Sequence, residues 1–95
     1  MPAYFIAEVE VLDPTAFQEY VKGAPATVAQ YGGTYIARGG AIEVLEGSWA
    51  PKRLTIIRFD SMDRVREWFN SPEYAPLKEI RKRTTRVNLL MTDGL

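Results

Sequence analysis

The sequence contains no histidine and no cysteine. Without imidazole there is no histidine base, no histidine nucleophile and no proximal haem ligand. Without thiols there is no disulfide, no thiolate chemistry and no cysteine metal site. Ser-His-Asp and Cys-His arrangements are therefore impossible. Charge of either sign in excess is also missing: 12 Lys+Arg balance 12 Asp+Glu. No overall field draws the chain toward nucleic acid or anionic lipid. No apolar run approaches the roughly 20 residues of a membrane span. The start, Met1-Pro2-Ala3-Tyr4, lacks the basic and apolar regions of a signal peptide. A cytoplasmic location is the expectation, with neither membrane nor nucleic acid as a partner. The carboxylates are scattered, so no metal site and no cofactor are expected.

What is present is ordinary globular composition, 46% hydrophobic and 25% charged. Ninety-five residues suffice for one domain, residues 1–95, with one core. Ala3–Leu12 alternates as a strand, with Phe5, Ala7 and Val9 on one face and Tyr4, Ile6, Glu8 and Glu10 on the other. Asp13-Pro14 is a helix start. Phe17, Tyr20, Val21, Ala24, Val28 and Tyr31 recur at helical spacing, interrupted at Pro25, where a kink is expected. Gly32-Gly33 ends the helix.

Thr34–Arg38 and Ala41–Glu46 read as two short strands, with Gly39-Gly40 between them as either a tight hairpin turn or, the favoured reading, a bulge within one bent strand. Arg53–Asp60 is the third strand, with Leu54, Ile56 and Arg58 on one face and Thr55, Ile57 and Phe59 on the other. Ser61 caps a helix carrying Met62, Val65, Trp68 and Phe69. Ser71-Pro72 breaks it, and Tyr74, Leu77 and Ile80 continue a helical stripe. Val87–Asp93 is the last strand. The order β-α-β-β-α-β predicts an α+β, ferredoxin-like protomer: an antiparallel-type sheet with two helices on one face. Several strands carry apolar residues on both faces, and helices cover only one. Pairing with a second copy would bury the other, so a homodimer is expected.

Certain pieces, in this order and at these spacings, resemble a known family. They are Tyr31-Gly32-Gly33, Arg38-Gly39-Gly40, Leu45-Glu46-Gly47, Arg58-Phe59 with Ser61, Trp68-Phe69, Ser71-Pro72-Glu73-Tyr74, Arg81 and Asp93-Gly94-Leu95. The chain resembles, nearly end to end, the family designated domain of unknown function 1330, in the dimeric α+β barrel superfamily. The resemblance implies a ferredoxin-like protomer and a dimeric barrel, and brings no reaction with it. Members often carry Glu before the third strand's Phe and Pro after it; here Arg58 and Asp60 stand there. A catalytic role for that Glu therefore has no counterpart. The superfamily includes cofactor-free monooxygenases, isomerases and haem-degrading enzymes, and the last need a histidine that is absent.

Five residues are candidates for ligand binding: Glu8, Arg38, Arg58, Trp68 and Tyr74. Taking the first and third strands as adjacent and parallel makes Glu8 and Arg58 neighbours on the face away from the helices. There they would either line a polar pocket gripping an anion or form a structural ion pair. Arg38 would hold a carboxylate beside glycines that admit a ligand, or be a surface arginine beside a bulge. Trp68 and Tyr74 would wall an apolar pocket or simply fill the core. Tyr31 and Tyr35 carry the same two readings. Lys78, Arg81, Lys82, Arg83 and Arg86 read as a solvated helix face, because the third strand lacks the aromatics of RNA-binding sheets.

Two functions stay open on these grounds. One is a homodimer that binds a small, partly apolar or anionic metabolite, between sheet and helices or between two sheets, and acts on it as a cofactor-independent isomerase or monooxygenase. The other is a non-catalytic ligand-binding or stress-associated dimer.

Overall fold

Alternation along the first strand sorts its side chains, and that sorting fixes the layers. In a computed structural model describing residues 1–95, β1 spans Ala3–Val11, with Ala3, Phe5, Ala7 and Val9 buried and the residues between them half-buried. Helix α1, Pro14–Gln30, starts where the Asp13 carboxylate accepts from the Ala16 N–H at 3.1 Å. It ends at Gly32, whose φ of 80° is costly for any other residue. Strand β2, Thr34–Arg38, and β3, Leu54–Phe59, follow. The second crossover is two helices: α2, Met62–Phe69, capped by Ser61, and α3, Ala75–Thr84. Ser71 forms the corner between them, donating to the Trp68 carbonyl and accepting from the Tyr74 N–H. Strand β4, Thr85–Asp93, closes the chain.

The sheet order is β2-β3-β1-β4 and every pairing is antiparallel. With the helices on one face, this is the expected ferredoxin-like arrangement. The molecule is a slab of 35 × 34 × 17 Å, thin enough for two layers only. Trp68 is the centre of the core. It lies edge-on to Phe5, packs on Phe59 and Tyr74, and donates its indole N–H to Thr27 Oγ1 at 3.1 Å. A side chain at Gly33 would run into Val28 and Phe59, so α1 leaves the core at close quarters.

Two expectations need correction. Ala41–Glu46 is not a strand: the β2–β3 pairing ends at Arg38 opposite Thr55, and residues 40–53 form an irregular connection. Alternating apolar residues without a partner strand beside them stay a loop; Leu45 and Trp49 are exposed on it. Strands β1 and β3 are antiparallel, not parallel, so Glu8 lies opposite Leu54 and Arg58 opposite Tyr4. Four residues at ~3.3 Å each put the two charges roughly 13 Å apart along the strand. Helix α1 continues past Pro25, within the span its helical spacing predicts. Proline has no N–H to give the Val21 carbonyl, and Arg38 Nη2 donates to it instead, at 3.3 Å.

Candidate functional site

The irregularity in β2 decides where Arg38 goes. Tyr35 pairs with Ile57, Ala37 with Ile56 and Arg38 with Thr55, so Ile36 is an extra residue, a β-bulge. Strict alternation would set Arg38 on the face opposite Tyr35. The bulge brings both to the helix side, where the Arg38 guanidinium lies 4.8 Å from the Tyr35 ring centre. The bond to Val21 then holds its tip against α1.

Between α1 and the sheet lies a cavity of about 40 Å³. Its floor is apolar, built from Phe5, Ala7, Val9, Ile57 and Leu89, and Phe17, Val21 and Ala24 cover it from α1. Its polar fringe consists of Arg38, Arg53, Arg81, Tyr20, Tyr35 and Thr55. No aspartate or glutamate lines it, and none of the three arginines takes part in an ion pair. Arg81 is only 5% exposed, which a guanidinium tolerates only with partners. Its Nε donates to the Tyr74 hydroxyl at 3.4 Å, and Tyr74 meets the Tyr20 hydroxyl at 2.7 Å. Arg53 has a buried Nε with no hydrogen-bond partner at all. Its guanidinium runs beside Gly39, whose φ is 68°; an added Cβ there would lie 3.0 Å from Arg53 Cζ.

Burial pushes the Tyr20 phenol well above the usual tyrosine range, and its neighbour Tyr74 adds to that. Burial also raises Tyr35, against the pull of Arg38. Both phenols stay protonated at neutral pH. The cavity thus offers hydrogen-bond donors and positive charge, and no group able to take a proton.

The other candidates fall elsewhere. Glu8 is on the uncovered sheet face, accepting from Trp49 Nε1 at 2.8 Å and Asn88 Nδ2 at 2.9 Å. These bonds, Asn88 first, hold its carboxyl below the usual range. Beside it Glu10 meets Lys52 and Arg86. Arg58 is exposed at the far end of that face, 3.7 Å from Asp60. Glu8 and Arg58 are neither an ion pair nor a joint pocket. Trp68 and Tyr74 are core residues, although the Tyr74 hydroxyl reaches the cavity through Tyr20. Tyr31 is tied to Glu73 at 2.7 Å, away from the cavity, which holds the glutamate low and the phenol high.

Sequence reasoning does not single out Arg53, Arg81 and Tyr20, which line the cavity. Arg81 is the instructive one. Tyr74, Leu77, Arg81 and Thr84 are spaced three and four apart, which sets Arg81 on the inward stripe of α3. Its basic neighbours Lys78, Lys82 and Arg83 mask that spacing in the sequence. No group of three or more Asp or Glu side chains gathers to hold a metal ion, and no helix is long and apolar enough to cross a membrane.

Among solved structures, the chain is similar to a protein of unknown function from Rhodopseudomonas palustris, with 16% identity, a TM-score of 0.81, and coverage of 99% of this chain and 82% of that one. It is also similar to a dimeric ferredoxin-like protein of unknown function from Jannaschia sp. CCS1, with 10% identity, a TM-score of 0.79, and coverage of 99% and 100%. A third likeness is to SnoaB, a cofactor-independent oxygenase from Streptomyces nogalater, with 13% identity, a TM-score of 0.71, and coverage of 99% and 93%. At these identities the likeness is one of fold alone. No curated protein matches by sequence. The model of the family described as domain of unknown function (DUF1330) matches residues 2–95, and the chain belongs to that family.

Proposed function

We propose that the protein is a homodimer that binds a small, partly apolar or anionic metabolite in the cavity between α1 and the sheet. One observation carries the reading: three arginines fringe an apolar cavity and no carboxylate neutralises them. Arg81 is buried and Arg53 half-buried, while Arg38 lies exposed at the fringe; holding the first two away from water without a counter-charge is costly, and a bound anion would offset that cost. The volume, about 40 Å³, is well below the ~150 Å³ of a cavity that encloses benzene. The cavity therefore takes up only the apolar tip of a ligand, whose anionic group would lie at the arginine fringe.

The absence of any proton acceptor in the lining favours binding without catalysis over acid–base chemistry. The oxygenase reading rests on likeness to SnoaB, and fold likeness is a weak warrant for activity.

A thermal-shift screen of metabolites tests the proposal. Ligands that bind should raise the melting temperature with concentration. Val21→Trp, which fills the cavity from α1, should abolish that rise while the fold persists. A rise of equal size in the filled variant would place binding elsewhere and sink the reading. Oxygen uptake or conversion of a stabilising ligand would restore the catalytic alternative.

A further inference from the structure

Hydrogen-bond accounting around Arg81 identifies what the cavity takes, given that it is a ligand site. Tyr74 is fully buried, so its hydroxyl proton needs an acceptor inside the protein. Arg81 can only donate. The oxygen within reach is that of Tyr20, at 2.7 Å. The direction of the chain follows: Arg81 Nε–H to Tyr74 oxygen, Tyr74 O–H to Tyr20 oxygen. Tyr20 lines the cavity, and its own proton is left to turn toward it. Arg53 adds a second free donor, the buried Nε–H that nothing in the chain accepts. Arg38 spends one N–H on the Val21 carbonyl, and its charge remains unpaired. Donors thus line the cavity from α1, α3 and the β3 entrance, while the hydroxyls of Tyr35 and Thr55 are the acceptors left among the lining side chains. The walls between them are hydrocarbon.

We infer that the ligand is a carboxylic acid in its anionic form, its carboxylate set among Arg53, Arg81 and the Tyr20 hydroxyl and its hydrocarbon part on Phe5, Ile57 and Leu89. A carboxylate has four lone-pair sites for these donors and no proton to place. Guanidinium groups match its planar fork. A primary amide of the same shape brings two N–H donors into a fringe that already donates. Inorganic phosphate satisfies the arginines and leaves the apolar floor unused. This inference rests on the proposed ligand-binding reading and goes beyond it by fixing the ligand's class.

The test is calorimetric titration of the whole dimer with benzoate, phenylacetate and hexanoate, each against its primary amide, and with inorganic phosphate. Each acid should bind at least about tenfold more tightly than its amide, the scale of one charge-assisted hydrogen bond. Arg53→Met and Tyr20→Phe should each shrink that ratio, with circular dichroism confirming the fold. Arg81→Met should do the same; since it also empties a buried position, the other two variants carry the decision. Amides binding as well as acids would overturn the carboxylate assignment and leave the cavity standing as a ligand site. Phosphate binding as tightly as the acids would overturn the role of the apolar floor. Binding by none of the probes, together with no hit in the metabolite screen, would overturn both proposals.

Discussion

Glu8 shows how a single charged residue can be structural without being an ion pair. Both of its oxygens are occupied, one by Asn88 from the neighbouring strand and one by Trp49 from the long connection between β2 and β3. Its lowered folded-state pKa means that the stabilisation is complete above the ordinary glutamate value and is lost as pH falls through the lowered one. Acidification should therefore release Trp49. Trp68, bonded to Thr27 inside the core, provides a constant background. Tryptophan emission should show an acid step that is absent from Glu8→Gln; the same step in that variant would refute the assignment. The residue type was legible from sequence and the partner was not. Strand alternation gives the face of Glu8, but which residue of the next strand lies beside it depends on strand direction, and reversing that direction moves Arg58 to the other end of the face. Arg81 was hidden differently. A cluster of cations looks like a solvated face until helical spacing is applied to each member separately.

At the scale of elements, what alternation and capping residues encode was readable: β1, α1 with its Asp13 cap, the Ser61 cap and the Ser71 corner. What depends on pairing partners was not. The Ala41–Glu46 alternation has no partner strand beyond the Arg38–Thr55 pair, and the bulge at Ile36 leaves no mark in composition. The Gly39-Gly40 pair illustrates the boundary. Both glycines look alike in sequence, yet only Gly39 has a positive φ and sits against Arg53, while nothing lies within 4 Å of a Cβ added at Gly40. Gly39→Ala should cost about 1–2 kcal/mol, the penalty of a left-handed backbone for an L-residue. Gly40→Ala should be close to neutral. Urea unfolding of the two variants side by side decides it; equal losses would mean that the turn is not held by Gly39. Because Gly39 and Arg53 bracket the residue 40–52 connection, the same substitution should also weaken binding at the cavity.

At the scale of the whole molecule, the decisive feature is the sheet face that no helix covers. Ile6 pairs with Ile56 on one side and Leu90 on the other, and the bulge adds Ile36 and Ala37 to the same surface. Ile36 and Leu90 are each more than half exposed. A 17 Å slab with such a face has a second layer on one side only, and a contiguous apolar surface of this kind marks an interaction site. A second copy placed sheet to sheet would bury it, as aligned sheet packing does, with the polar groups around Glu8, Glu10 and Arg86 toward one end and Arg58 toward the other. The similar protein from Jannaschia sp. CCS1 is dimeric. Sedimentation should give a dimer for the native chain, and Leu90→Lys or Ile36→Lys should give a folded monomer, since both side chains are exposed in the protomer and absent from its core. A native monomer at micromolar concentration would refute sheet-to-sheet pairing. The same variants separate the two faces of the slab. The arginine-fringed cavity lies on the helix side of the sheet, so a folded Leu90→Lys monomer that still binds a carboxylate would show that each protomer carries a complete site. Loss of binding with loss of the dimer would show that the second copy completes it.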